Sequence, residues 1–180
     1  MKQQTHRRFL FYTAFTAEVF LLFFLGDVPG LLPAVGGALP SLLLPAAISA
    51  ALVTAGELPA IAFAVLCGLL MDHSRGGPYG LSAMILAAIC YAIAALTRTV
   101  LQKNLLTALL LTVPAIALVY LYLWLFLYVF PGYDGAFDAL VRGYLPMAAY
   151  TFAADIPIYF LTRGLTYLFP ARLTKGDGSP

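Results

Sequence analysis

The fold is decided by residues 66–81, which read Leu-Cys-Gly-Leu-Leu-Met-Asp-His-Ser-Arg-Gly-Gly-Pro-Tyr-Gly-Leu. The pattern predicts an apolar helix that ends at Met71, a polar loop over residues 72–75, and a second apolar helix from Leu81. A Gly-Gly-Pro-x-Gly turn lies between the loop and the second helix. Its glycines permit positive φ, and Pro78 suits a turn that precedes a helix. The sequence therefore predicts a helical hairpin closed by a short polar loop.

The composition is that of an integral membrane protein. Of the 180 residues, 62% are hydrophobic and only 10% are charged, and the mean hydropathy is +0.92. A soluble domain carries roughly a quarter charged residues, so this chain has too little polar surface to dissolve as a monomer. The net charge of +2 gives no indication of nucleic-acid binding. Cys67 and Cys90 both fall in apolar runs, which favours buried thiols over a disulfide.

Hydropathy divides the chain into six candidate membrane spans. The third has about 14 residues, or roughly 21 Å of helix, whereas a full crossing needs roughly 20 residues. It is expected either to cross the membrane with the help of its flanking residues or to form a partial, re-entrant span. We expect one transmembrane domain over residues 1–180, with a flexible cytoplasmic tail at residues 170–180. The spans cover approximately residues 9–25, 31–54, 58–71, 80–97, 105–130 and 144–162.

The basic residues predict the orientation of the spans. Six crossings leave only Arg75 and Arg142 on one side of the membrane. Because Lys and Arg concentrate on the cytoplasmic side, the other side is predicted to be cytoplasmic. Both termini are then cytoplasmic, and the loop at residues 72–80 faces outward. The eight basic residues on the cytoplasmic side are Lys2, Arg7, Arg8, Arg98, Lys103, Arg163, Arg172 and Lys175.

Small residues predict how the hairpin packs. Ala60, Ala64 and Gly68 recur every four residues along the third span, and such stripes let helix backbones approach closely in lipid. Leucine at Gly68 is therefore expected to disrupt the hairpin, whereas alanine is expected to be mild. Similar pairs on the fourth span are Ala83 with Ala87 and Ala88 with Ala92.

The loop residues have both a structural and a functional interpretation. Asp72 is expected to accept hydrogen bonds from free backbone N–H groups in the loop, in an Asx-type turn that needs no ligand. The alternatives are a docking surface for another protein and a small-molecule or ion site. The candidate residues are Gly68, Asp72, Arg75, Gly76, Gly77, Pro78 and Gly80.

Aromatic residues occupy alternate positions near the end of the fifth span. Alternation is typical of a strand, but a lone strand cannot remain unpaired in lipid, which favours a helix. On a helix the residues form two stripes, 120/124/128 and 122/126/130. They predict either an aromatic belt at the outer interface or a groove for an apolar helix of a partner. The residues are Tyr120, Tyr122, Trp124, Phe126, Tyr128 and Phe130.

Two acidic residues fall inside predicted spans. Glu18 lies midway along the first span and Asp155 near the middle of the sixth, with no Lys or Arg at a matching depth. A carboxylate in a bilayer is costly, so such residues are functional candidates. Protonation, a shared hydrogen bond and a hydrated cavity all remain open. A role in packing or in contact with a partner helix competes with proton coupling.

The common catalytic patterns are missing from the sequence. There is no HExxH, CxxC, GxSxG or Walker loop, and no metal-ligand spacing. His6 and His73 fall on opposite sides of the membrane in the predicted topology. We therefore expect neither an enzyme nor a cofactor.

The central motif resembles the signature of MreD, the rod shape-determining membrane protein family of bacteria. The resemblance rests on Gly68-Leu-Leu-Met-Asp72 and, after a short polar gap, on Gly77-Pro-Tyr-Gly-Leu81. It covers residues 64–98 specifically, and the chain length and six-span hydropathy are also similar. Asp155 departs from the pattern, since neutral residues are expected at its position in the family.

The resemblance implies a scaffold without catalysis in the bacterial cytoplasmic membrane. MreD-like proteins work with MreC in the elongation machinery that couples MreB filaments to RodA and a class B penicillin-binding protein. The implied partners are therefore membrane lipids and an MreC-like protein, and through it the other components. The family fold is similar to the six-helix substrate-binding subunits of ECF vitamin transporters. That similarity gives an alternative function, a small-molecule binding subunit of such a transporter.

Overall fold

The computed structural model describes residues 2–28, 30, 40–54, 57–76, 78–99 and 105–168. Gly77, the first part of the predicted second span and the predicted tail at residues 170–180 lie outside these ranges. The described residues are mostly helical. The α-helices are α1 (Lys2–Asp27), α2 (Leu43–Val53), α3 (Glu57–Arg75), α4 (Leu81–Thr99), α5 (Leu105–Trp124), α6 (Ala136–Ala139) and α7 (Leu145–Leu168). Two π-helical turns, Leu125–Val129 and Leu140–Tyr144, extend α5 and precede α7.

Helix α2 forms the centre of the bundle. Every residue from Leu43 to Leu52 is buried, and α2 contacts α1, α3, α4, α5 and α7. A helix that is apolar on all sides is stable only when surrounded by other helices. Alanines at Ala46, Ala47 and Ala50 leave room for those helices to approach closely.

Helices α3 and α4 form the predicted hairpin, and their contact is the most extensive in the bundle. Ala60, Ala64 and Gly68 of the small stripe are all buried. On α4 the two pairs differ, because Ala83 is buried at the hairpin while Ala88 is exposed. Only one of the two small-residue pairs on α4 therefore takes part in close packing.

The outer surface of the bundle is apolar. Large hydrophobic side chains such as Phe24, Leu110 and Phe160 are more than half exposed, as expected where lipid replaces water. Among the described residues, three helical stretches are long and apolar enough to cross a membrane: Phe9–Asp27, Glu57–Arg75 and Leu109–Val129. Leu43–Val53 and Leu81–Thr97 are apolar but shorter.

The predicted end of the third span was wrong. The third span is a full-length helix of 19 residues, because α3 continues through the polar residues 72–75. It ends where Gly76 adopts a left-handed φ of 62°, the usual conformation after a helix C-terminus. The short element is instead α2, whose 11 residues extend about 16 Å. The prolines inside later spans do not end them, since Pro114 and Pro157 lie within α5 and α7.

Candidate functional site

The carboxylate of Asp72 joins the two helices of the hairpin. It is 3% exposed. It accepts hydrogen bonds from the backbone N–H of Gly80 at 2.7 Å and of Ser82 at 3.0 Å. The first N–H groups of a helix have no partner within the helix, and a negative charge there also interacts favourably with the helix dipole. Asp72, in the last turn of α3, therefore caps the N-terminus of α4. Its hydrogen-bond partners lie further along the chain than those of the predicted Asx-type turn.

The turn that follows Asp72 depends on glycine. Gly80 has a φ of 96°, a conformation that side chains other than glycine rarely adopt. Pro78 and Tyr79 are exposed, and the Tyr79 hydroxyl lies 3.2 Å from Nδ1 of His73. The exposed part of this turn thus consists of Pro78, Tyr79, His73 and Gly76, while its acid points inward.

Gly68 marks the closest approach of the hairpin helices. A Cβ built on Gly68 would overlap Cα of Ala83 and lie 2.6 Å from its N. Both atoms belong to the backbone of α4, so they cannot rotate away as a flexible side chain would. The expectation that alanine at Gly68 is mild is therefore wrong, because even one methyl group needs the helices to separate.

A polar cluster lies beside the hairpin turn, inside the bundle. The guanidinium carbon of Arg75 is 5.8 Å from the centroid of the Tyr120 ring. The Tyr120 hydroxyl is 2.9 Å from the Thr151 hydroxyl, which also accepts a hydrogen bond from the backbone N–H of Ser41 at 3.0 Å. This cluster connects α3, α5, α7 and the segment before α2. Nη1 of Arg75 is buried and has no hydrogen-bond partner among the described residues.

The aromatic residues of α5 face in two directions. Tyr120 is buried, and the Trp124 indole donates a 2.7 Å hydrogen bond to the carbonyl of Ala136. Tyr128 contacts the ring of Tyr144 edge-on, with 5.9 Å between the ring centroids. Tyr120, Trp124 and Tyr128 form an inward stripe, and its contacts hold the segment before α7 against α5.

The other stripe, Tyr122, Phe126 and Phe130, faces the surface of the bundle. Phe126 and Phe130 are 43% and 68% exposed, whereas Tyr122 is half-buried. Successive rings lie 4.9 Å and 5.1 Å apart. We call these three residues the outward stripe. The sequence pattern is the same for both stripes. Which stripe is buried and which is exposed depends on how α7 packs against α5.

The two intramembrane acids lie inside the bundle. Oε1 of Glu18 accepts a 2.8 Å hydrogen bond from the Thr162 hydroxyl, and Oε2 has no partner among the described residues. Asp155 is 1% exposed, and neither oxygen of its carboxyl group has a hydrogen-bond partner among the described residues. Thr112 lies near that group. Glu18 therefore bonds to a threonine of a neighbouring helix, and within the described part of the chain it does not share a hydrogen bond with Asp155.

Sequence reasoning missed the hydroxyl residues that surround these groups. Ser41 and Thr151 complete the cluster near Arg75, while Thr112 and Thr162 face the acids. Their signal in the sequence is a polar side chain inside an otherwise apolar span, since such groups need hydrogen-bond partners in lipid. Cys67 and Cys90 are free, buried thiols, as predicted.

The apolar surface, the buried polar groups and the long apolar helices define a helical integral membrane protein. Comparison with family models then identifies the kind of protein. The model described as rod shape-determining protein MreD matches residues 7–169, and the chain belongs to that family. The resemblance seen in the hairpin motif is thereby confirmed.

Searches of curated proteins and of solved structures gave no significant match. The similarity to the substrate-binding subunits of ECF transporters therefore stays a prediction.

Proposed function

We propose that this protein is a non-catalytic membrane scaffold that binds an MreC-like partner and helps to maintain rod shape. The observation that carries the proposal is the match to the rod shape-determining family over residues 7–169. Through that partner, the scaffold would associate with MreB, RodA and a class B penicillin-binding protein. The protein would act by holding other proteins in place in the bacterial cytoplasmic membrane.

The proposed topology has six crossings and two cytoplasmic termini. Eight of the ten Lys and Arg residues then lie on the cytoplasmic side. The short helix α2 crosses with the help of its flanking residues, because the helices around it shield it from lipid. The hairpin turn after α3 and the segment between α5 and α7 face outward.

Several of the candidate residues are buried and therefore cannot form the surface on which a partner docks. Asp72, Glu18, Asp155 and Tyr120 were all candidates, but each is at most 6% exposed. The outward stripe remains accessible and lies at the outer end of α5. Aromatic rings give a large contact area at a low cost in side-chain entropy. We therefore propose that an apolar helix of the partner packs on the outward stripe.

Co-purification tests this function directly. The tagged protein is expressed together with the MreC-like protein of the same genome, extracted in mild detergent and captured. The wild-type protein should retain the partner. The triple variant Tyr122→Ala, Phe126→Ala, Phe130→Ala should retain at least about tenfold less, the change that loss of about 1.4 kcal/mol of contact produces. The same variant should round the cells of a rod-shaped host.

Phe24→Ala is the matched control, because Phe24 is an aromatic residue 62% exposed at the outer end of α1. It should leave co-purification and cell shape unchanged. Loss of the partner with Phe24→Ala alone would move the docking surface to α1. Failure of the wild-type protein to retain the partner would refute the proposed scaffold function itself.

A further inference from the structure

An apolar groove runs along the bundle between α1, α7 and the residues before α2. Its volume is about 520 Å³, within the range of small-molecule sites, which is roughly 300–1,000 Å³. The wall is almost entirely hydrocarbon and includes Leu22, Leu25, Ala153, Ala154 and Ile158. The groove opens to the surface of the bundle, where lipid chains are the surrounding solvent.

A second, more polar cavity of about 210 Å³ adjoins this groove. The two spaces share Leu22, Pro40 and Leu42 in their walls. The second cavity is also lined by Ser41, Ser74 and Arg75. The second cavity thus places a cation and two hydroxyl groups next to the apolar groove.

Arg75 is the unusual residue in this chamber. Its guanidinium cannot lose its charge, and a buried charge is costly unless it is paired. The Tyr120 ring compensates one face of the group through a cation–π contact. Nη1 nevertheless remains buried without a hydrogen-bond partner among the described residues. Asp27, whose side chain is exposed, also lines the chamber.

We propose that the two spaces form one site for a phosphate-bearing membrane lipid. The phosphate would bind to Arg75 in the chamber. The Ser41 hydroxyl and the Ser74 hydroxyl, which donates to the Leu70 carbonyl at 3.3 Å, would turn toward it as additional donors. One hydrocarbon chain would lie in the groove against α1 and α7. Arginine suits this role because its planar group donates two parallel hydrogen bonds to a phosphate.

The position of Arg75 along the membrane normal fits a lipid headgroup. Arg75 is the last residue of Glu57–Arg75, a helix long enough to cross the hydrocarbon core. Its charge therefore lies at headgroup depth in either orientation of the chain. This inference depends on burial and charge alone and does not require the MreC-like partner.

Native mass spectrometry of the detergent-solubilised protein tests the site, with added phosphatidylglycerol as the probe. The wild-type protein should retain one molecule of this lipid after the detergent is removed. Arg75→Gln should retain about tenfold less, because a charge-assisted hydrogen bond to phosphate is lost. Arg142→Gln is the matched control and should bind like wild type, since the Arg142 side chain is 83% exposed.

A second pair of variants separates binding from misfolding. Ala153→Trp fills the groove from an exposed position and should abolish retention, whereas Ala117→Trp, at an exposed position on α5, should not. Diacylglycerol, which has the chains but no phosphate, should not be retained, and inorganic phosphate should not displace the lipid. Equal retention by Arg75→Gln and wild type would overturn the proposal. So would retention of diacylglycerol, displacement by inorganic phosphate, or a second protein copy in the groove.

Discussion

Gly68 sets the distance between α3 and α4. Gly68→Ala should destabilise the protein by about 1–3 kcal/mol, because a new methyl group would overlap the backbone at Ala83. Thermal unfolding in detergent micelles, followed by circular dichroism, measures this loss. Gly164→Ala is the control, since a Cβ there meets nothing within 4 Å and alanine is favoured over glycine inside a helix. If both variants unfold like wild type, the hairpin is looser than the structure indicates.

Asp72 should contribute to stability at the start of α4. Asp72→Ala leaves the backbone N–H groups of Gly80 and Ser82 without their acceptor, which should cost about 1–3 kcal/mol. Asp72→Asn keeps one acceptor oxygen and should lose about half as much. The amount of folded protein in membranes and the midpoint of thermal unfolding report both effects. Full stability of Asp72→Ala would show that water replaces the carboxylate, as it does at an exposed cap.

The sequence predicted the chemistry of single residues better than their surroundings. Asp72 was expected to accept backbone hydrogen bonds, and it does. Its partners could not be identified, because they depend on how α4 is placed relative to α3. The same limit applies to Glu18, whose partner Thr162 lies 144 residues further along the chain. Such pairings follow from helix packing, which leaves no local signal in the sequence.

Within α5, the two aromatic stripes should respond differently to substitution. Tyr120→Phe removes the hydroxyl that bonds to Thr151 in the interior and should cost about 0.5–1.5 kcal/mol of stability. Phe130→Leu removes a ring that is 68% exposed and should leave stability within about 0.5 kcal/mol of wild type. Thermal unfolding in the same detergent compares the two. Equal losses would mean that the outward stripe is buried, for example by a second copy of the chain.

Helix type was predictable for every span, but helix ends were not. The end of α3 was predicted at Met71 because the polar residues begin after it, whereas the helix continues to Arg75. Polar residues can extend a helix beyond the hydrocarbon core without penalty, so a change in polarity marks a membrane boundary and not a helix end. For α2, the predicted span begins at residue 31, but residues 31–39 lie outside the described part of the chain, in which the helix begins at Leu43.

At the level of the whole molecule, the distribution of charge predicts the orientation. Tyr79→Cys, at a position 70% exposed in the hairpin turn, should react with a membrane-impermeant thiol reagent on intact cells. Cys67 and Cys90 are replaced by alanine in this experiment. Lys103→Cys should react only after lysis, because position 103 lies on the side that the basic residues predict to be cytoplasmic. The opposite pattern would invert the topology, and labelling of both positions on intact cells would exclude six crossings.

The hydrogen bond between Trp124 and Ala136 has a practical consequence. Trp124 is the single tryptophan of the chain, so all intrinsic tryptophan emission comes from the contact between α5 and the segment before α7. Lifting that segment would break the bond and hydrate the indole, and the emission maximum would move to longer wavelength. The unmodified protein thus contains its own optical reporter of the end of the bundle where α5 meets the segment before α7. A fluorimeter can therefore follow, without any attached label, whether a ligand loosens or tightens that end.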